Sequence, residues 1–177
     1  MKIALAILAT FAAPVLAAPV AAQTHHAPSR AMDPTPEHAR AYVMKAGASD
    51  LYEIRSSRIA LQKSRNREVR ALATMLISHH QMTTRDVTAA ARRDRLRPMP
   101  PMLEPHQRAM INELNRTGRG GFDRAFLDQQ RTAHQEALQL HMNFSERGNA
   151  QALRRAAATA VPIIQRHIDR IEAIRVR

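Results

Sequence analysis

The chain has 177 residues, 45% of them hydrophobic and only 3% aromatic, with no Cys, no Trp, and 27 Lys+Arg against 15 Asp+Glu for a formal net charge of +12. Without cysteine, disulfides and lipid attachment through cysteine are excluded. The alphabet of Ala, Leu, Ile, Met, Arg and Gln favours helix and is poor in the β-branched and aromatic residues of strands, and no P-loop, Gly-rich phosphate loop or G-x-S-x-G is present.

Met1-Lys2 is a short basic start, followed from Ile3 to Val20 by an apolar run interrupted by Pro14 and Pro19. Val20-Ala21-Ala22 before Gln23 fits the small-x-small rule of signal peptidase, with Val15-Leu16-Ala17 a weaker site. Residues 1–22 therefore read as a signal peptide and the product as periplasmic or secreted. A mature chain of about 155 residues is one domain by length. Residues 23–34, QTHHAPSRAMDP, read as a flexible leader. Its His25-His26 pair could touch metal, but two His in a loose tail are more often no site.

From 35 to 177 the sequence predicts a helical bundle domain. A first long helix runs from about Pro36 to Ser64, with Thr35 as cap and Pro36 in the first position. Asn66 caps a second, to about Leu96, and the short link makes the two an antiparallel hairpin. RPMPPMLEP (97–105) cannot be helical throughout; its Met99 and Met102 resemble a soft-metal tract, but two are too few and read as loop packing. A short helix from about His106 to Thr117 follows, and Gly118, Gly120 and Gly121 then break the chain. A third long helix spans Phe122 to Arg147 and stops at Gly148, and a fourth, capped by Asn149 and kinked at Pro162, runs to the end.

The inward stripes follow three- and four-residue steps. The second helix reads Val69, Ala73, Leu76, His80, Thr83, Val87, Ala91; the third, Leu127, Gln130, His134, Ala137 or Leu138, His141; the fourth, Leu153, Ala157, Ala160, Ile164, His167, Ile171, Ile174. In the first helix the line through Glu53 is Val43, Ala46, Asp50, Glu53, Ser57, Ala60, small and polar, while Leu51, Ile54 and Leu61 mark a competing face. Glu53 lies about 12 residues before the first turn and His80 about 15 after it, a mismatch of roughly 5 Å. If the 97–121 connection carries the chain back along the bundle, His134 and His167 fall at the same height. That arrangement is a four-helix bundle of the ferritin-like type, with a short extra helix between the second and third long helices.

Glu53, His79, His80, His134 and His167 are thus the candidate metal ligands, with His141 as a further imidazole. One carboxylate and several imidazoles suit one transition-metal ion, Zn, Cu or Fe. The residues three before His80, His134 and His167 are Ile77, Arg131 and Ile164. None is acidic, so the E-x-x-H pairs of a di-iron bundle are missing. The same buried His and Glu can instead form a polar packing layer satisfied by one another.

Tyr42-Val43 with the later Glu53, ALATMLISHHQMT (71–83), GFDRAFLDQQRTAHQEAL (121–138) and PIIQRHI (162–168) together resemble the bacterial domain of unknown function 4142 family over about residues 39–174. The resemblance implies an exported, ferritin-like four-helix bundle and no established activity. The family's usual Asp-His in the second helix is His79-His80 here, which removes a carboxylate from an iron-type site.

The basic charge attracts nucleic acid, anionic lipid or acidic glycans. Because the Arg residues are spread over every helix and the chain reads as exported, anionic envelope components are the expected partners and a specific nucleic acid is not. No nucleophile–base–orienter set is visible. Two function classes follow: a metal-binding envelope protein, or a structural or stress-related module that acts through its basic surface.

Overall fold

The computed structural model describes residues 36–176, with side chains from His38; the expected signal peptide, the leader and the Thr35 cap lie outside the described residues. Five helices follow one another: α1 Pro36–Lys63, α2 Arg67–Arg93, α3 Pro105–Arg116, α4 Arg119–Arg147 and α5 Gln151–Ala173. There is no strand among the described residues, and no helix there is long and apolar enough to cross a membrane.

The helix ends show why the chain breaks where it does. Asn66 caps α2 as expected, its Oδ1 accepting from the backbone N–H of Glu68 at 2.8 Å and Val69 at 3.3 Å. α2 stops at Arg93, earlier than the Leu96 read from the sequence. Leu96 N–H bonds to the Ala91 carbonyl and Arg95 N–H to that of Arg92, with Arg95 at φ 61°. This is the Schellman pattern, with Arg in the left-handed position that glycine usually takes. Gly120 and Gly121 do not break the chain; they lie in the first turn of α4, and Gly118 is its N-cap. At the other end of α4, Gly148 is required by contact, since a Cβ there would stand 2.4 Å from the Phe144 carbonyl oxygen.

The N-terminus of α5 corrects another expectation. Its N-cap residue is Ala150, not Asn149, and its first free N–H groups are satisfied from another helix. The Asp94 carboxylate, at the end of α2, accepts from Ala152 N–H at 3.1 Å and Leu153 N–H at 2.8 Å. A negative charge at a helix N-terminus also interacts favourably with the helix dipole. α5 then runs unbroken through Pro162, which lacks the N–H that would bond the carbonyl of Ala158. At the end of α1, Lys63 Nζ donates to the carbonyls of Leu114, Asn115 and Thr117 at 2.8, 2.8 and 2.7 Å. All three ammonium donors are used to pin the C-terminus of α3.

α1 packs on α2 and α4, and α5 packs on the same two, so the four long helices close a ring; α3 lies against α1 and α4. One apolar cluster joins Ala60 of α1, Val69 to Leu76 of α2, Phe122 to Leu127 of α4, and Ile171 of α5. It unites the C-terminal ends of α1 and α5 with the N-terminal ends of α2 and α4. α2 and α4 therefore run in the same direction, and residues 94–118 carry the chain back along the packet. A second cluster, with Tyr42, Ala46, Val87, Phe144 and Leu153, forms the other end.

The face α1 turns inward is the small, polar line. Ala46, Asp50, Glu53, Ser57 and Ala60 are all buried, while Leu51, Ile54 and Leu61 are half-buried. Small side chains let neighbouring backbones approach, and their polar groups meet polar groups of the other helices. The result is a polar layer sandwiched between the two apolar clusters.

Candidate metal centre

The polar layer is built by one stretch of each long helix, between residues of the two end clusters. His80 lies between Leu76 and Val87 of α2, His134 between Leu127 and Phe144 of α4, and His167 between Ala157 and Ile171 of α5. All three are buried, and one ring nitrogen or another of each lies within 4.8 Å of those of the other two. Their ring centroids are 5.5, 5.4 and 5.2 Å apart, a nearly equilateral triangle.

The hydrogen bonds fix which nitrogen faces inward. His134 Nδ1 is 2.9 Å from the Gln130 carbonyl oxygen, which can only accept. Nδ1 therefore carries the proton and Nε2 its lone pair. That Nε2 is 3.2 Å from His167 Nδ1, which must donate to it. His167 Nε2 then accepts from His79 Nδ1 at 2.8 Å. The chain runs His79 to His167 to His134 to the Gln130 carbonyl, with His79 half-buried at its outer end.

His80 is anchored differently. Its Nδ1 is 2.8 Å from Asp50 Oδ1, and Thr84 Oγ1 donates to Asp50 Oδ2 at 2.8 Å. Its Nε2 is buried and has no protein hydrogen-bond partner. Burial pushes the His80 pKa down, but the Asp50 hydrogen bond and charge, with Glu53, raise it above the usual histidine value. His80 and Asp50 form a buried, hydrogen-bonded pair that favours the charged imidazole.

The other two imidazoles are held neutral. Burial, with the charge on His80, pushes His134 down to about 3 and His167 down to about 2. Glu53 is fully buried, and burial pushes its carboxyl up to about 8 against the opposing pull of His80 and Gln130. Glu53 Oε1 approaches His134 Nδ1 at 3.5 Å. With both groups neutral at pH 7, that contact is not an ion pair.

The sequence-expected residues thus sort themselves. His80, His134 and His167 converge. His79 sits behind His167, bonded to its outer nitrogen. Glu53 lies beside the anchored nitrogen of His134 and is not part of the convergent group. His141 is buried elsewhere, its Nδ1 3.0 Å from the Tyr42 hydroxyl. Asp50 is the participant that sequence reading passed over, although it stands on the same α1 line, one turn before Glu53.

Chemically, three imidazoles that share one focus match a borderline divalent ion. Two nitrogens bound tetrahedrally at ~2.0–2.1 Å stand roughly 3.3 Å apart, close to the 3.2 Å between His134 Nε2 and His167 Nδ1. His80, His134 and His167 could therefore hold a metal ion, their ring nitrogens lying within 4.8 Å of one another, with His80 Nε2 as the nitrogen that no protein group satisfies.

No curated protein matches the chain. Among solved structures it is similar to one described as the crystal structure of a DUF305 fragment from Deinococcus radiodurans, with a TM-score of 0.67 and 21% identity, over 78% of this chain and 94% of that one. That likeness concerns the fold. The model of the family described as domain of unknown function (DUF4142) matches residues 21–174, and the chain belongs to that family.

Proposed function

We propose that this is an exported, ferritin-like four-helix bundle that binds one transition-metal ion through His80, His134 and His167. The reading rests on one observation above all: three buried imidazoles from three helices bring ring nitrogens within 4.8 Å of one another. The closed ring of four long helices and the long connection carrying α3 support the bundle topology. The N-terminal sequence supports export, and the excess of Lys and Arg suits anionic envelope components.

The chain's own residues set up the ligands. Asp50 holds His80 by Nδ1 and leaves Nε2 for the ion, and the Gln130 carbonyl does the same for His134. Partners on the outer nitrogen fix tautomer and ring orientation in this way at metal sites generally. To offer Nδ1, His167 would carry its proton on Nε2 and donate it to His79 Nδ1, with His79 then holding its own proton on Nε2 instead of Nδ1. His79 is therefore an orienting partner for His167. His80 must also lose its Nε2 proton, so affinity falls as the pH drops. Three neutral imidazoles favour Zn or Cu over a carboxylate-rich iron centre.

A second reading has its own support: the hydrogen-bond chain from His79 to the Gln130 carbonyl is complete without a metal. In that reading the layer fixes helix register. Thermal unfolding with and without Zn(II) separates the two. Metal bound only to the folded state raises the melting temperature by mass action, and His167→Ala removes that rise. If Zn(II) has no specific effect, and His167→Ala only lowers the melting temperature of the metal-free protein, the layer is structural.

A further inference from the structure

Among the described residues, the large hydrophobic side chains left exposed are all methionines: Met44, Met82, Met99, Met102 and Met142. Three of them, Met44, Met99 and Met102, line one pocket of about 230 Å³ formed by α1, α2 and the 98–104 segment. Met99 and Met102 are 77% and 76% exposed. Loop packing, the expectation from sequence, does not account for them.

The pocket is held in shape. Pro98, Pro100 and Pro101 fix φ along the segment that carries both methionines. Gly47 lets that segment lie against α1, since a Cβ at 47 would stand 3.1 Å from Pro101 Cβ. Met44 is on the same helix, one turn earlier. Asp50 and Thr84 also line the pocket, and it is the Asp50 carboxylate that holds His80. The methionine mouth and the histidine centre therefore share Asp50 as a common wall.

We propose that Met44, Met99 and Met102 form a capture site for a soft monovalent cation, Cu(I), beside the histidine centre. Thioethers select Cu(I) and bind hard or borderline divalent ions poorly. The Glu104 carboxylate that lines the same pocket draws a cation to it without altering that selectivity. Capture at the thioethers stands independently of the histidine centre, whereas onward transfer to His80 rests on that centre binding metal. No redox step is involved.

The test uses the protein labelled with ¹³C at its methionine methyls, titrated with Ag(I) as a redox-inert stand-in for Cu(I). The methyl signals of Met44, Met99 and Met102 should shift together and saturate near about one equivalent. Those of Met82 and Met142, exposed but outside the pocket, should not move. The double variant Met99→Leu/Met102→Leu keeps size and apolarity. It should weaken Ag(I) binding by about tenfold or more and leave the response of the histidine ring signals to Zn(II) unchanged. A parallel shift of all five exposed methyls, or no methyl shift, overturns the capture site. A histidine response to Ag(I) without a methyl shift also overturns it, while leaving the histidine centre intact. Methyl shifts in a protein whose histidines ignore Zn(II) uphold capture and remove transfer.

Discussion

Asp50 and His80 stand 2.8 Å apart across the α1–α2 interface, both side chains 5% exposed. Burial is the largest influence on the protonation of the layer, and the pair adds to it. The charge on His80 helps hold His134 and His167 neutral, and Asp50 keeps that charge in place.

Replacing Asp50 with Asn keeps the shape and removes the charge. His80 should then titrate at lower pH, because its largest upward influences come from Asp50. Losing such an outer partner typically weakens metal binding by about 10–100-fold. Calorimetric titration of the variant with Zn(II) checks this; unchanged affinity would mean that Asp50 does not orient a ligand.

The alkaline side of the stability profile belongs to Glu53. Its folded pKa of about 8 lies above its usual 4.5, so the folded state holds a proton that the unfolded chain releases. Its contribution is full below the unfolded value and is lost as pH rises through about 8. His80, also raised, acts in the same direction. His141, His134 and His167 act oppositely. Folded values of about 4, 3 and 2 lie below the usual 6.5, so their contribution is lost as pH falls from about 6.5. Urea unfolding across pH 5 to 9 should show a maximum between these limbs. Glu53→Gln should flatten the alkaline limb and, because the Glu53 contribution already declines above 4.5, steepen the rise of the acid limb towards 6.5.

Asp94→Ala should destabilise the fold by about 0.5–2 kcal/mol, the usual loss for an N-cap side chain, because Ala152 and Leu153 lose their acceptor. Chemical denaturation measures it, and faster hydrogen exchange in the first turn of α5 should accompany it.

Lys63→Met keeps the aliphatic stem but leaves the carbonyls of Leu114, Asn115 and Thr117 without the ammonium. Hydrogen bonds to a charged group are worth about 1.5–3 kcal/mol each at most, and solvent replaces part of them here. A loss of about 1–3 kcal/mol, with exchange increased at the end of α3, is expected. Exchange unchanged in α3 would contradict the pinning role.

Much of this was legible in the sequence, because its signals are local. Asn66, Gly148 and the prolines placed the helix ends to within a few residues, and the spacing of His80, His134 and His167 put three imidazoles at one height. What was not legible is non-local. The α5 cap comes from Asp94, 58 residues earlier than the N–H of Ala152 that it accepts from, so Asn149 was the natural but mistaken choice. Gly120 and Gly121 look like a break, yet helix continues through them once α4 packs. On α1 two carboxylates one turn apart share a stripe. Which of them reaches His80 depends on the rotation of α1, set by the competing Leu51–Ile54–Leu61 face. The exposed methionines became significant only when Met44 joined the 98–104 segment in space.

The most direct test of the metal centre is X-ray absorption on the purified protein loaded with Zn(II) and dialysed. Three imidazole nitrogens bound at ~2.0–2.1 Å, with the signal lost in His134→Ala and in His167→Ala, is the result expected from His80, His134 and His167 converging on one ion. Zinc removed by dialysis, or retained with a shell of oxygen ligands that the histidine variants leave unchanged, would contradict it.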